Sequence, residues 1–537
     1  MIVATETRIE RPKVWTSHPT TPHPVKRYLP AFLVAFFSIL YFVEIGIRAS
    51  EKYFWYDELL TVYFSRLPNL HAIWNALGSG VDSNPPLFFL LTRASEAAFG
   101  EGPIGTRVPE ILGFWMFCLC IFLFVSRRVG PIPGLIAMLL PTLTGAFYYA
   151  YEARPHAIVL GCCGIALVCW QHARDSSSVE PRRVVWLTGF GIALFCAFML
   201  HAYALVLTIP FGLAGLWQGL RDKEIKWGFW IALAAPVIPA VLMYIPLQHY
   251  FATVMKGTPF LQRFPSSWEQ MTNFYTWLIS SCFLLFLFLL LALLLNLSRR
   301  WLNTEVADEP RLPHLEDIVL GIGFLLVPAY GIVIAKIAHA PFFSRYFLSA
   351  LSGVCILLGL AFGIRGAFRW TALLTFLVVG ASVAVDCSRV VWHRYNHWDE
   401  ALIEPSTRTL LESSLSGPLS MHSLLLEQRA SSKPIALLDP SVYLYFNYYA
   451  PELAKRVYCL RPSSDDLSYR LIKAIRQCCK TTCNREITDE EFVRMNHRFL
   501  AYGMYRFLDR LAVIQGHGSQ IGPLRVANGY FLAKIAR

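Results

Sequence analysis

The stretch YFWYDELLTV, residues 53–62, sets two adjacent carboxylates, Asp57 and Glu58, among aromatic and aliphatic side chains. A carboxylate in partly desolvated surroundings has its pKa raised toward the range of a general base; in water the same pair would only solvate a loop or cap a helix. A further acid lies in YYAYEARPHAIVLG, residues 148–161, where Glu152, Arg154 and His156 flank Pro155, which is placed to open a helix. The free amides and positive dipole end of such a helix suit a phosphate, and Arg154 adds a bidentate donor; the competing reading is an ordinary Glu–Arg ion pair at a helix end. In KIAHAPFFSRYFLSAL, residues 336–351, Lys336, Arg345 and Tyr346 stand at another helix start, there to hold a lipid phosphate or to snorkel at a membrane edge. Asp82, in VDSNPPLFF, is one more acid, of a type that also serves turns. The single histidines His201 and His339 give no metal-ligand pattern.

The elements that must position these groups are membrane spans. The 537 residues are 55% hydrophobic and 16% charged, too apolar for a water-soluble globule of this size. The net charge of +12 sits in short basic clusters between apolar runs, where orientation signals belong, which argues against nucleic-acid binding. Runs able to cross a bilayer recur near residues 29–47, 107–125, 131–149, 155–172, 184–201, 203–219, 228–247, 276–297, 317–336, 346–364 and 370–386, about eleven helices. With a cytoplasmic tail at 1–28 and the first run kept as a signal anchor, every inside connection is basic: Arg127 and Arg128; Arg174, Arg182 and Arg183; Arg221, Lys223 and Lys226; Arg299 and Arg300; Arg365 and Arg369.

This layout predicts a polytopic α-helical membrane domain over 29–386, with a long first outer loop at 48–106 and a small extracytoplasmic α/β domain over 387–537. In the first loop, LLTVYFSRL, LHAIWNAL and PLFFLLTRASEAAF read as short amphipathic helices lying along the interface, with Asn84 as N-cap and Pro85 at the first helical position. In the tail, PIALLD, RVYCL, HRFLAYG and RVANGYFLAKIA read as strands, and SVYLYFNYYAPELA and MYRFLDRLAVIQ as helices. Eight of the thirteen cysteines (Cys118, Cys120, Cys162, Cys163, Cys169, Cys196, Cys282 and Cys355) lie in apolar runs as small hydrophobes. Cys459, Cys478, Cys479 and Cys483 would face an oxidising compartment, a disulfide among them leaving its pairing open.

Taken together, WYDE, DSNPPLFFLL, EARPHA, FFSRYFLSAL and the tail's YLYFNYYAPEL resemble the membrane-embedded glycosyltransferases of the GT-C superfamily, in the bacterial branch related to protein O-mannosyltransferases and aminoarabinose transferases. The resemblance covers most of the chain and rests on the order and shared outer placement of the motifs. It implies transfer of a hexose or pentose, with inversion, from a polyprenyl-phosphate donor to a lipid, glycan or protein acceptor. The enzyme would sit among the lipids of a bacterial inner (plasma) membrane, its active site on the periplasmic or extracellular side. It implies Asp57 as catalytic acid or base and Glu152 as the second acid, with Arg154, Arg345 and Tyr346 near the donor phosphate. Glu58, Asp82, His156 and Lys336 are candidate substrate-binding residues. The family often has Tyr after Arg-Pro, where this chain has His156. Some members use a divalent metal, and Asp57 with Glu152 would be the ligands of a Mg or Mn ion here, although nothing in the spacing requires one. The alternative is a transporter or flippase of lipid-linked glycans, which calls for broken helices and midplane acids; a non-catalytic envelope scaffold is a third reading.

Overall fold

The computed structural model describes residues 24–80, 82–176, 181–255, 266–302, 314–337, 342–362, 369–396, 424, 428, 431–438, 441–449, 451–461, 487–504, 508–527 and 529–537. Among the described residues, seven helical stretches are each long and apolar enough to cross a bilayer: Tyr28–Glu51, Pro103–Val129, His156–Asp175, Pro181–Leu200, Ala202–Asp222, Trp227–Thr253 and Trp370–Asn396. Three pairs are bent, Pro131–Leu143 with Gly145–Tyr151 by 75°, Trp268–Ser280 with Phe283–Leu291 by 91°, and Leu315–Leu325 with Val327–Ile337 by 47°. With the shorter apolar helix Ala350–Phe362, these fall on the runs expected from sequence. The protein is an integral membrane protein.

The first helix, α1 (Pro24–Glu51), begins ahead of the expected boundary at 29. The last, Arg369–Asn396, runs past the boundary at 386, and near its end Arg394 pairs with Glu51 at 2.7 Å. The runs at 131–149 and 276–297 are not straight spans. Their two bends meet: Ser281 donates to the Leu143 carbonyl at 2.8 Å, and a Cβ on Gly145 would come within 2.8 Å of the Trp277 carbonyl. A carbonyl freed by the break is thus satisfied inside the protein, the condition for irregular backbone at membrane depth.

The first loop folds into α2 (Tyr56–Ser65), α3 (Leu70–Leu77) and α4 (Pro86–Phe99). Asn69 caps α3 by accepting the Ala72 N–H at 2.9 Å. The cap expected at Asn84 is displaced, because Pro86 takes the first helical position and Pro85 the cap, while Asn84 donates its N–H to Asp82 Oδ1 at 2.8 Å. Far from lying free along an interface, α2 is mostly buried and tied to α4 by Ser65 and Arg66 on Glu96 (3.0 and 3.1 Å).

The ruler of the molecule is α5 (Pro103–Val129), which opens with the buried Arg107 and ends with Arg127 and Arg128. Arg107 and Arg127 are twenty residues apart on this helix, roughly 30 Å along its axis, the thickness of a bilayer's hydrocarbon core. At its far end Arg128 and Arg174 bind Asp317 (2.7 and 2.8 Å), and Arg127 and Arg128 bind Asp175 (3.1 and 2.8 Å). Arg127, Arg128 and Arg174, expected at inside loops, therefore gather at one end, and the acids of the candidate site at the other.

α5 packs closely on α7 (His156–Asp175), the helix that follows α6 (Pro131–Leu139), where a Cβ on Gly113 would lie 2.6 Å from Ile158 Cα and one on Gly161 2.6 Å from the Gly113 carbonyl. Backbone cannot yield as a flexible side chain does, so Gly113→Val is expected to cost about 1–3 kcal/mol. Thermal melts of the detergent-purified variant check this.

The described residues of the tail form a six-stranded sheet in the order β3-β2-β1-β4-β6-β5. Its strands are β1 (Ile435–Leu437), β2 (Val457–Arg461), β3 (Ile487–Thr488), β4 (Arg498–Met504), β5 (Gln520–Ala527) and β6 (Tyr530–Ala536). β1 pairs in parallel with β2 and β4, whereas β6 runs antiparallel to β4 and β5. The run RVANGYFLAKIA, expected as one strand, turns at Gly529 (φ 77°) into a hairpin. Cys459 is buried in β2; Cys478, Cys479 and Cys483 lie outside the described residues, as does His339.

Candidate active site

Adjacent in sequence, Asp57 and Glu58 have opposite fates. Glu58 faces inward from the first turn of α2 and is fully buried. Arg107 grips it with two bonds, Nε to Oε1 at 2.9 Å and Nη2 to Oε2 at 3.0 Å. The same guanidinium donates to the carbonyls of Ala49 (2.6 Å), Lys52 (2.7 Å) and Tyr53 (3.3 Å), and Glu58 accepts the N–H of Ala153 at 2.7 Å. Burial pushes the Glu58 carboxyl up, but Arg107 and Lys52 together hold it below the usual carboxylate range. Glu58 is thus not a substrate ligand, since its oxygens are consumed in fixing the backbone on both sides of the site.

Lys52 lies 3.5 Å from Glu58 and 3.7 Å from Glu152, its ammonium 4.1 Å from the centre of the Tyr148 ring. The buried hub of Lys52, Arg107, Glu58 and Glu152 is formally neutral, as a desolvated charge cluster must nearly be. Burial raises the Glu152 carboxyl, with Lys52 opposing and Glu58 adding to the rise. One Glu152 oxygen, Oε1, is buried without a hydrogen-bond partner among the described residues.

Asp57 points the other way, with 19% of its side chain exposed, and its Oδ2 lies 3.4 Å from Arg345 Nη2. Arg345 belongs to a single 3-10 turn, Ser344–Phe347, and stacks 5.7 Å from the Trp55 ring and 5.1 Å from Phe343. Burial would lower its pKa, but Tyr346, Asp57, Tyr149 and Glu152 raise it, so the cation is permanent. Tyr346 stacks on Tyr203 at 4.3 Å and lies 4.7 Å from His201 and 5.9 Å from His156. His156, His201, Tyr203, Arg345 and Tyr346 line one small cavity. His201 accepts the Tyr203 N–H at 3.3 Å, and burial with Arg154 and Arg345 pushes its pKa down to about 3, leaving a neutral imidazole. His156 Nε2 is buried without a partner among the described residues.

Two further expectations change. Arg154 is occupied by Asp82 Oδ2 at 2.8 Å and the Asp57 carbonyl at 3.3 Å, so it braces the site rather than presenting an open fork. Lys336 is exposed at the end of its helix, 5.2 Å over Trp268, and joins none of these pairs. No group of three or more His, Cys, Asp or Glu side chains among the described residues is placed to share a metal. Asp57 is turned to Arg345 and Glu152 to Lys52. Lys52 and Arg107 escaped sequence reasoning. A lone Arg opening an otherwise apolar run was the available signal.

No family model matches the sequence, and no curated protein does. Among solved structures, ArnT from Cupriavidus metallidurans in the apo state superposes with a TM-score of 0.55 at 13% identity, over 95% of this chain and 98% of that one. The same protein bound to undecaprenyl phosphate gives 0.54, at the same identity and coverage. The chain has the GT-C fold. In this version of the GT-C fold, the helices of the first loop and the turn at 344–347 converge over the start of α7, bringing Asp57, Glu152, Arg154, Arg345, Tyr346, Asp82 and His156 to one end of the bundle.

Proposed function

We propose that the protein is an inverting glycosyltransferase, moving a sugar from a polyprenyl-phosphate donor to an acceptor at the non-cytoplasmic face. The observation that carries this reading is the Asp57–Arg345 pair, a half-open carboxylate and a fixed guanidinium side by side at a membrane boundary. The shared fold with a protein crystallised with undecaprenyl phosphate supports the choice of donor. The donor's chain rests in lipid while its phosphate reaches Arg345 and the aromatic cavity beside it. The acceptor hydroxyl attacks the anomeric carbon and passes its proton to Asp57, and the bond from that carbon to the phosphate oxygen breaks with its electron pair on the phosphate. Arg345 stabilises the departing charge, and displacement in line inverts the anomeric centre. Glu152, Arg154 and Asp82 fix the frame, and no step is routed through a metal.

Mass spectrometry of envelope lipids and glycans from cells with and without the protein tests the proposal. One sugar-bearing species should disappear on deletion, with its unmodified acceptor in its place; identical profiles would end the transferase reading. The three bent helix pairs are compatible with a flippase. That alternative predicts loss of a whole lipid-linked glycan from the outer face rather than loss of one sugar from its acceptor.

A further inference from the structure

The C-terminal unit touches the segment that presents Asp57. Its helix Ser441–Tyr449 packs on residues 53–54, which lead into α2. The Tyr449 hydroxyl accepts the Phe54 N–H at 2.7 Å. Further contacts hold the two surfaces in register. Asn447 donates to the Tyr63 hydroxyl at 2.7 Å, Tyr449 packs on Tyr53 at 5.6 Å, and Tyr448 packs on Phe54 at 5.6 Å.

Arg107 and Glu58 fix this segment from the membrane side. From the other side the Tyr449 hydroxyl holds the amide of Phe54. We infer that Tyr449 is a positioning residue: the C-terminal unit is a clamp that sets where the Asp57 carboxylate stands relative to Arg345. This rests on the transferase reading and gives the tail its part in the reaction. Anything that lifts the tail off α2 would lower turnover without touching the donor's phosphate site.

The test is Tyr449→Phe, in the full chain in lipid nanodiscs. Phenylalanine keeps the ring and removes only the hydroxyl that accepts the Phe54 N–H. Hydrogen exchange read by mass spectrometry should show the amides of residues 54–58 exchanging about tenfold faster or more, with the rest of the chain unchanged. Transfer should fall by a comparable factor while binding of undecaprenyl phosphate stays within about twofold. In an Asp57→Asn background the Tyr449 change should have no further effect on transfer. Unchanged exchange at 54–58 overturns the clamp whatever happens to transfer. Faster exchange with transfer at the wild-type level overturns its catalytic role and leaves the transferase reading intact. A wild-type protein that transfers no sugar ends that reading, and with it the role assigned here to Tyr449.

Discussion

Asp57→Asn is expected to lower sugar transfer by about 10²–10⁴-fold with little change in folding. Asparagine keeps the shape of the side chain and an oxygen for Arg345 but cannot take a proton from the acceptor. The Asp57–Arg345 pair is partly open to solvent at 3.4 Å, and pairs of that kind contribute about 1 kcal/mol or less. Expression, membrane insertion and melting temperature should therefore match the wild type, and undecaprenyl phosphate should still bind because Arg345 and the cavity beside it are untouched. The measurement is the amount of sugar-modified acceptor in a deletion strain carrying the variant at wild-type level. Transfer within about tenfold of wild type would remove Asp57 as the base, because a positioned base contributes more than that.

Asp57 and Glu58 also show what the sequence could convey. Placement was legible: the apolar run before them and the basic loops between later runs locate both acids at one end of a helical bundle, and the short periodic stretches of the first loop do form helices. The division of labour was not. What makes Glu58 structural is a guanidinium forty-nine positions away and the amide of Ala153, partners that only the packing of α5 and α7 against the first loop brings into reach. Likewise Arg154 read as a phosphate donor because its partner Asp82 lies seventy-two positions away. The bends were hidden for a related reason: hydropathy registers apolar length, while the break near Gly145 depends on Trp277 and Ser281 from another element. In the tail, strand and helix periods were readable, but a run long enough for one strand concealed the hairpin at Gly529.

Breaking the buried pair should have the largest effect on stability. In Glu58→Gln the fully buried Arg107 loses its counter-charge, and removing one partner of such a pair costs about 3–5 kcal/mol. A chain with total stability of about 5–15 kcal/mol cannot absorb much of that, so little folded protein should survive purification. The paired replacement Glu58→Met/Arg107→Met is the informative companion. Apolar substitution of a buried ion pair is often harmless, but here the guanidinium also satisfies the carbonyls of Ala49, Lys52 and Tyr53. Losing those bonds leaves three backbone acceptors beside the site without their donor. The double variant should therefore remain destabilised, and transfer should fall even where folded protein is recovered, because the turn that aims Asp57 is no longer held. The pH dependence has a definite sign. A carboxyl held below its ordinary pKa stabilises the fold above that value and loses its contribution as pH falls through the lower, folded value. Wild-type melting temperature should accordingly drop on acidification below the ordinary carboxylate range, and the paired Met variant should lose that part of the drop. Fluorescence-detected melts in detergent across an acid series measure both, and a double variant as stable and as active as the wild type would show that the backbone around Asp57 needs no guanidinium to hold it.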